Sequence, residues 1–156
     1  MDSKLYIKRA ENEIQLAQLI FTISEEPSIQ KKTFKINNPD TYYSAVITHA
    51  YYTIFYCAKA YLTLKGIKTE APEEHKKTYN TFKKFVESGE LDVELLKIYN
   101  EALIRAEVLL GIFKEEKQKR GEFTYRTLPQ ANKEPTKKSV EHAQTFFKHI
   151  YNICME

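Results

Sequence analysis

The sequence contains few of the residues that mark a disulfide framework, a zinc site or a membrane span. Its 156 residues include two cysteines, Cys57 and Cys154, which show neither CxxC nor Cys/His spacing, so neither zinc binding nor disulfide stapling is expected. No apolar run approaches the roughly 20 residues that cross a bilayer, and no basic-then-apolar start suggests a signal peptide. These absences predict a cytoplasmic protein that does not enter a membrane.

The usual catalytic signatures are also missing. The sequence has no glycine-rich phosphate loop, no GxSxG elbow, no HExxH motif and no plausible Cys/His nucleophile pair. His142 and His149 are seven residues apart, or about 10.5 Å along a helix, which is too far to share one metal ion. No metal or cofactor is therefore expected, and whether the protein is an enzyme stays open.

Arginine is scarce in a chain whose net charge is small. There are 24 Lys and Arg against 21 Asp and Glu, a net charge of +3, and this balance alone does not predict nucleic-acid binding. Only Arg9, Arg105, Arg120 and Arg126 are arginines. Because the planar guanidinium suits bidentate phosphate contacts better than the lysine ammonium does, each arginine marks a position of interest.

What the sequence does contain is helical periodicity, interrupted by its four glycines and five prolines. Apolar spacing predicts helices over residues 2–24, 38–65, 71–88, from 92 to beyond Gly111, and 134–153, with a long connection over residues 25–38. The second of these is apolar over most of its circumference, which is typical of a central helix. The whole chain, residues 1–156, is expected to form one all-α domain, an antiparallel up-down bundle of four to five helices.

The second predicted helix carries a polar and aromatic stripe. His49, Tyr52, Tyr56 and Lys59 follow one another at offsets of three, four and three, so they share one helix face. An imidazole, two phenols and an ammonium could supply a base and hold a phosphate. The same stripe could equally form a subunit interface, where tyrosine is enriched for its apolar body and polar tip.

Two further positions carry alternatives of the same kind. His75 lies near the start of the third predicted helix, where the helix dipole favours a neutral imidazole; it could also be an ordinary surface histidine. Arg120 is followed closely by Phe123, Tyr125 and Arg126, and a guanidinium beside aromatic rings could stack on a base or clamp a phosphate. These side chains could instead attach a loop to the bundle.

Taken in order, these segments resemble the HEPN domain family from about residue 4 to 154. Residues 42–45 and 49–60, which read Tyr-Tyr-Ser-Ala and His-Ala-Tyr-Tyr-Thr-Ile-Phe-Tyr-Cys-Ala-Lys-Ala, are similar to the family's signature helix. Glu74-His75 resembles its Thr-His opening of the next helix, and Arg120 to Tyr125 resembles its Arg-x-x-x-x-Tyr motif. Residues 137–146 resemble its amphipathic last helix.

The resemblance implies a helical bundle that pairs as a homodimer. The tyrosines expected at the surface of the second predicted helix make that helix the expected dimer face. Members of the family are RNase toxins, non-catalytic RNA- or nucleotide-binding modules, or partners of small nucleotidyltransferases in toxin–antitoxin pairs. The Arg-x(4–6)-His motif of the nuclease members is absent here, and His49 stands where an arginine is expected. Both differences count against ribonuclease catalysis.

The resulting hypothesis is a non-catalytic HEPN-type binding module that engages RNA, a nucleotide or a partner protein, within a system like a toxin–antitoxin pair. The candidate ligand-binding residues are Arg120, Tyr125, Tyr52, Lys59 and Tyr56. The alternatives are a divergent metal-independent ribonuclease, for which His49 and His75 are the candidate catalytic residues, and a pure protein–protein adaptor.

Overall fold

The computed structural model of the chain describes residues 2–110 and 132–156. These residues form helices without any strand, which confirms the predicted all-α class. The helices are α1 (Ser3–Ser24), α2 (Pro27–Lys32), α3 (Tyr43–Leu64), α4 (Glu74–Glu87), α5 (Val93–Leu110) and α6 (Lys133–Cys154). The predicted continuation of the fourth helix past Gly111 lies outside the described residues.

Helix α3 is the centre of the bundle, as its apolar circumference predicts. Of its 22 residues, 14 are buried, and α1, α4, α5 and α6 all pack against it. The core includes three tyrosines with almost no exposed surface, Tyr51, Tyr61 and Tyr99. Because α3 is covered by four other helices, the tyrosine-rich helix expected to form a dimer face is mostly occupied within the chain itself.

Side-chain contacts give the directions of the helices. Ser3 donates a hydrogen bond to the carbonyl of Ala60, and Ser24 accepts one from the amide of Tyr42, so α1 and α3 are antiparallel. Helices α5 and α6 are antiparallel as well, as the Arg105–Ser139 hydrogen bond and the more distant Glu101–His142 contact show.

Helix α4 runs in the same sense as α3. Its start contacts the middle of α3 through His75 and Phe55, whereas a later turn contacts the end of α3 through Phe85 and Tyr61. The connection after α3 therefore folds back along that helix before α4 begins. This return is what brings the start of α4 beside the middle of α3.

The connection predicted over residues 25–38 contains one short helix. Pro27 lies beyond the end of α1, as expected, but it also begins α2, because proline's fixed φ suits the first turn of a helix. Helix α3 begins at Tyr43 rather than near Asn38, so that predicted start is wrong. The amides of Asp40 and Tyr42 are hydrogen-bonded to Gln30 and Ser24, and these contacts hold the segment outside the helix.

The start of α4 also differs from the predicted one. Pro72 was expected in the first helical turn, but the helix begins at Glu74, after Glu73 in a left-handed conformation with a φ of 58°. A residue in that conformation cannot continue a right-handed helix. Ala71 and Pro72 therefore belong to the connection, and Glu74 and His75 form the first turn.

Among residues 2–110 and 132–156, no helix combines the length and the apolar character that crossing a bilayer requires.

Candidate functional site

A carboxylate and a histidine meet where α1 crosses the first half of α3. The Glu13 carboxylate lies 2.6 Å from Nδ1 of His49, and each side chain keeps about a quarter of its surface exposed. Because an ionised carboxylate only accepts hydrogen bonds, Nδ1 carries the proton, and the lone pair of the neutral ring is then on Nε2. The pair thus presents an imidazole of fixed orientation at the surface.

Next to this pair, an arginine of α1 lies over a tyrosine of α3. The guanidinium carbon of Arg9 is 5.5 Å from the centre of the Tyr56 ring, within the distance at which a cation is attracted to an aromatic face. Arg9 is exposed and Tyr56 is half-buried. The ring of Tyr6, also on α1, stacks on that of Tyr56 with their centres 6.3 Å apart. Two side chains of α1 therefore contact the Tyr56 ring and restrict its position.

Tyr52 joins these two pairs. It lies one turn from both His49 and Tyr56 on α3, and its ring centre is 6.0 Å from that of Tyr56. Burial, with smaller contributions from Tyr56 and Glu13, raises the pKa of Tyr52, so the phenol is protonated at neutral pH. We call the group of Arg9, Glu13, His49, Tyr52 and Tyr56 the α1–α3 site.

His75 closes one side of the α1–α3 site and is not an ordinary surface histidine. Its ring stacks on Phe55 with a centre-to-centre distance of 4.1 Å, and Nδ1 lies 2.7 Å from the hydroxyl of Tyr51. The edge of Tyr52 also contacts the ring. Burial is the main cause that lowers the pKa of His75, and the neutral imidazole is the form that these contacts accommodate.

Lys59, the last member of the predicted stripe, is engaged in holding the connection and α4 in place. Its side chain is 5% exposed, and its ammonium lies 2.8 Å from a carboxylate oxygen of Glu74. It also donates to the carbonyl oxygen and, at 3.3 Å, to the hydroxyl of Thr69. With three internal oxygen partners, this ammonium has little capacity left for an external ligand.

The structure therefore brings together only part of the predicted set. His49, Tyr52 and Tyr56 lie on one surface and His75 borders it, whereas Lys59 is buried beneath. Arg120 and Tyr125 lie outside the described residues, so their predicted role stays a prediction. Sequence reasoning marked Arg9 only as one of four scarce arginines, without a partner, and it missed Glu13. Their spacing of four places them on one face of α1, but nothing in the sequence shows that this face meets the stripe of α3.

A second polar cluster lies between α5 and α6, on helices that do not contribute to the α1–α3 site. Arg105 donates a hydrogen bond to the hydroxyl of Ser139 at 2.9 Å, and the ring of His142 lies 3.7 Å from the carboxylate of Glu101. The Arg105 guanidinium is thus bonded to α6. The distance between His142 and Glu101 exceeds that of a direct hydrogen bond. In the described segments, no three His, Cys, Asp or Glu side chains group together in a way that could hold a metal ion.

Part of the sequence is similar to that of a known protein. Over 62 residues the chain is 40% identical to a protein of Methanocaldococcus jannaschii named "Putative toxin MJ0142". The aligned part covers 39% of this chain and 40% of that protein, so the chain spans well under half of the relative it matches. No family model matches the chain, and no solved structure matches it. The chain is thus similar, over part of its length, to a protein named as a toxin.

Proposed function

We propose that this chain is a non-catalytic HEPN-type binding module of a toxin–antitoxin-like system, and that its α1–α3 site binds single-stranded RNA. The observation that carries the proposal is the exposed Arg9 guanidinium over the ring of Tyr56, with Tyr52 beside it. RNA-binding proteins use aromatic rings and guanidinium planes to stack unpaired bases, and the guanidinium also binds phosphate.

The charge and burial of the site support a ligand that carries both rings and phosphates. Glu13 is paired with His49, so the anionic group of the site is already hydrogen-bonded while the cationic Arg9 is exposed. The half-buried faces of Tyr52 and Tyr56 are anchored by neighbouring rings, which reduces the entropy lost when a base stacks on them. Arg120 and Tyr125, which lie outside the described residues, are proposed to bind the same RNA.

The resemblance to the HEPN family and the similarity to the archaeal protein named as a toxin support the proposed system. In such a system the chain would act as a homodimer, in one domain, in the cytoplasm, with an antitoxin as partner. The small nucleotidyltransferases that accompany family members are the proposed class of that partner.

Fluorescence anisotropy with a fluorescein-labelled single-stranded RNA of mixed sequence, in EDTA and physiological salt, tests the RNA proposal. Arg9→Ala is expected to weaken binding about tenfold, the equivalent of about 1.4 kcal/mol, and Tyr56→Ala by a comparable factor through lost stacking. Lys8→Ala is the matched control, because Lys8 is an exposed cation next to Arg9 that pairs with Glu11.

Equal loss in Lys8→Ala and Arg9→Ala would mean that binding is diffuse electrostatics and not a property of the α1–α3 site. No measurable RNA affinity in the wild-type chain would overturn the proposal and favour the protein–protein adaptor.

A metal-independent ribonuclease is the second candidate, and the Glu13–His49 pair is the observation that favours it. A carboxylate that orients a histidine through Nδ1 leaves Nε2 placed as a general base, and Arg9 could stabilise a charged phosphate. If the wild-type chain cleaves the labelled RNA in EDTA and His49→Ala binds it without cleavage, the ribonuclease is correct. If the RNA stays intact, the binding module is retained.

A further inference from the structure

The α1–α3 site has a histidine on each of its two sides. Helices α1 and α4 both pack on α3, but in the described part of the chain they do not pack on each other. Tyr52 of α3 lies between them. Burial is the main cause that raises the pKa of its phenol, and Glu13 of α1 and Glu74 of α4 both add to it. His49, the partner of Glu13, thus lies on the α1 side of this ring, and His75 lies on the α4 side.

The hydrogen bond of His75 determines which of its ring nitrogens carries the proton. Tyr51 has no exposed surface, and its hydroxyl lies 2.7 Å from Nδ1 of His75. Among the described residues, this is the only hydrogen bond of that hydroxyl, and leaving a buried hydroxyl without an acceptor is costly. Tyr51 is therefore the donor and Nδ1 the acceptor. In the neutral ring the proton is then on Nε2, so His75 offers an N–H donor.

His49 has the opposite tautomer. Its Nδ1 donates to the Glu13 carboxylate at 2.6 Å, so Nε2 keeps a lone pair and acts as an acceptor. Within residues 2–110 and 132–156, neither Nε2 atom has a hydrogen-bond partner, and neither is buried. One side of the site therefore presents a hydrogen-bond acceptor and the other side a donor, and both are available to a ligand.

The rings of α3 orient a flat ligand between these two nitrogens. The planes of Tyr52 and His75 form an angle of 74°, with ring centres 5.8 Å apart, so His75 stands beside the Tyr52 ring and does not cover its face. The Tyr56 ring, with Arg9 over it, continues the aromatic surface. A base stacked on Tyr52 would have His75 along one edge and His49 along the opposite edge.

Of the four RNA bases, guanine matches this arrangement of donor and acceptor. It has only acceptors, N7 and O6, on one edge and a 2-amino donor on the opposite edge. Adenine and uracil have only acceptors on the edge where guanine has the 2-amino group. Cytosine has a donor and an acceptor on opposite edges, but its single ring is narrower than a purine, and the whole Tyr52 ring separates the two histidines.

We therefore propose that the α1–α3 site selects guanine in single-stranded RNA, with Nε2–H of His75 donating to N7 and Nε2 of His49 accepting from the 2-amino group. This inference rests on the proposed RNA-binding function and adds to it the base that the site recognises. His49 and His75 then determine specificity, whereas Arg9, Tyr52 and Tyr56 supply the general affinity for bases and phosphates.

Base analogues in one RNA test the inference on the wild-type chain. The probe is a fluorescein-labelled oligouridylate with one central guanine, and anisotropy is measured in EDTA at pH 8, above the usual titration range of histidine. A central 7-deazaguanine, which lacks N7, is expected to weaken binding about fivefold, the usual effect of one lost hydrogen bond. Inosine and adenine, which both lack the 2-amino group, are each expected to weaken it by a similar factor.

Two variants assign these effects to the two histidines. His75→Phe keeps a flat ring against Phe55 but has no N–H donor, so it is expected to bind the guanine and 7-deazaguanine probes equally and still to prefer guanine to inosine. His49→Lys keeps a partner for Glu13 but has no acceptor, so it should lose only the preference over inosine. His149→Lys is the matched control, because His149 is exposed on α6, and it should keep both preferences.

Each preference compares two probes on one protein, so a change of charge or stability in a variant does not by itself produce the result. RNA binding without a preference for guanine, or a cytosine probe that binds as tightly as the guanine probe, would overturn this inference and leave the RNA proposal standing. Both preferences persisting in both variants would also overturn it. No binding of any probe would overturn the RNA proposal and this inference with it. If circular dichroism shows that a variant does not fold, the analogue series on the wild-type chain decides.

Discussion

Gln30 is a polar side chain with no solvent exposure, and it connects three parts of the chain. Its amide nitrogen donates to the carbonyl of Ile23 at 2.7 Å and to that of Asp40 at 2.9 Å, and its amide oxygen accepts from the amide of Asp40 at 3.0 Å. All polar atoms of the side chain are thus used on backbone groups. Through them Gln30 joins the end of α1, helix α2 and the segment that leads into α3.

We expect Gln30→Leu to lower the free energy of unfolding by about 2–4 kcal/mol, because leucine fills similar volume but removes the hydrogen bonds of Gln30 to the amide and carbonyl of Asp40, at about 1–3 kcal/mol each. The Ile23 carbonyl keeps the amide of Glu26 as a partner. Urea denaturation followed by circular dichroism measures the loss. Gln144→Leu is the control, since Gln144 is exposed on α6 and should change stability little. A Gln30→Leu variant as stable as the control would show that water replaces the amide at no cost.

At the scale of the helix, α4 is held to α3 by polar contacts as well as by its apolar side. The Lys59 ammonium reaches Glu74 in the first turn of α4 and Thr69 in the preceding connection. The hydroxyl of Thr69 in turn lies 2.6 Å from that of Thr78. A buried cation in the C-terminal third of α3 thus fixes where α4 begins and, with it, the position of His75.

Glu74→Gln is expected to destabilise the protein by about 1–2 kcal/mol, because the buried Lys59 would lose its anionic partner while it keeps Thr69. The partial exposure of Glu74, 39% of its side chain, keeps the value below that of a fully buried pair. Hydrogen exchange should show faster exchange at the start of α4. Glu87→Gln, at an exposed position on the same helix, is the control, and the same rates in both variants would contradict the role of Lys59.

The helices themselves were largely predictable because they depend on local periodicity. Residues 43–64 are buried over most of the helix circumference, and the sequence already shows this as apolar residues on every side. The start of α3 was not predictable. Pro39 and Asp40 look like a helix start, but the amides that would begin the helix bond to Ser24 and Gln30, distant residues whose proximity depends on the tertiary fold.

At the scale of the whole molecule, the candidate site depends on how α1 lies against α3. The stripe of His49, Tyr52 and Tyr56 follows from helical spacing alone, whereas its partners do not. Glu13 is 36 residues from His49 along the chain, and a shift of α1 by one turn would place a different side chain beside the imidazole. Pairings of this kind are set by packing, so sequence spacing identified one half of the site and could not identify Arg9 and Glu13.

The pH dependence of stability is also a property of the whole molecule. Two glutamates, Glu25 and Glu90, affect stability in acidic solution, and one histidine, His75, affects it nearer neutral pH. Hydrogen bonds from Lys133 and Tyr43 lower the pKa of Glu25, and a hydrogen bond from Lys65 lowers the pKa of Glu90, in each case from 4.5. Their contributions are present above about pH 4.5 and are lost in more acidic solution. His75 acts at higher pH, since burial lowers its pKa from 6.5.

For His75, the unfolded chain takes up a proton as the pH falls through about 6.5, whereas the folded chain does so only at lower pH. In that interval the unfolded state binds more protons, so stability increases with pH and falls on acidification. Thermal melts of the wild-type chain at pH 7.5 and 5.5 should therefore show a lower melting temperature at the acidic value. His75→Gln cannot be protonated, and we expect a smaller difference between the two melts, whatever its effect on stability at pH 7.5. His149→Gln is the control, because His149 is exposed on α6 and should keep the wild-type difference. A difference of the same size in His75→Gln and in the wild type would show that His75 titrates alike in the folded and unfolded chains.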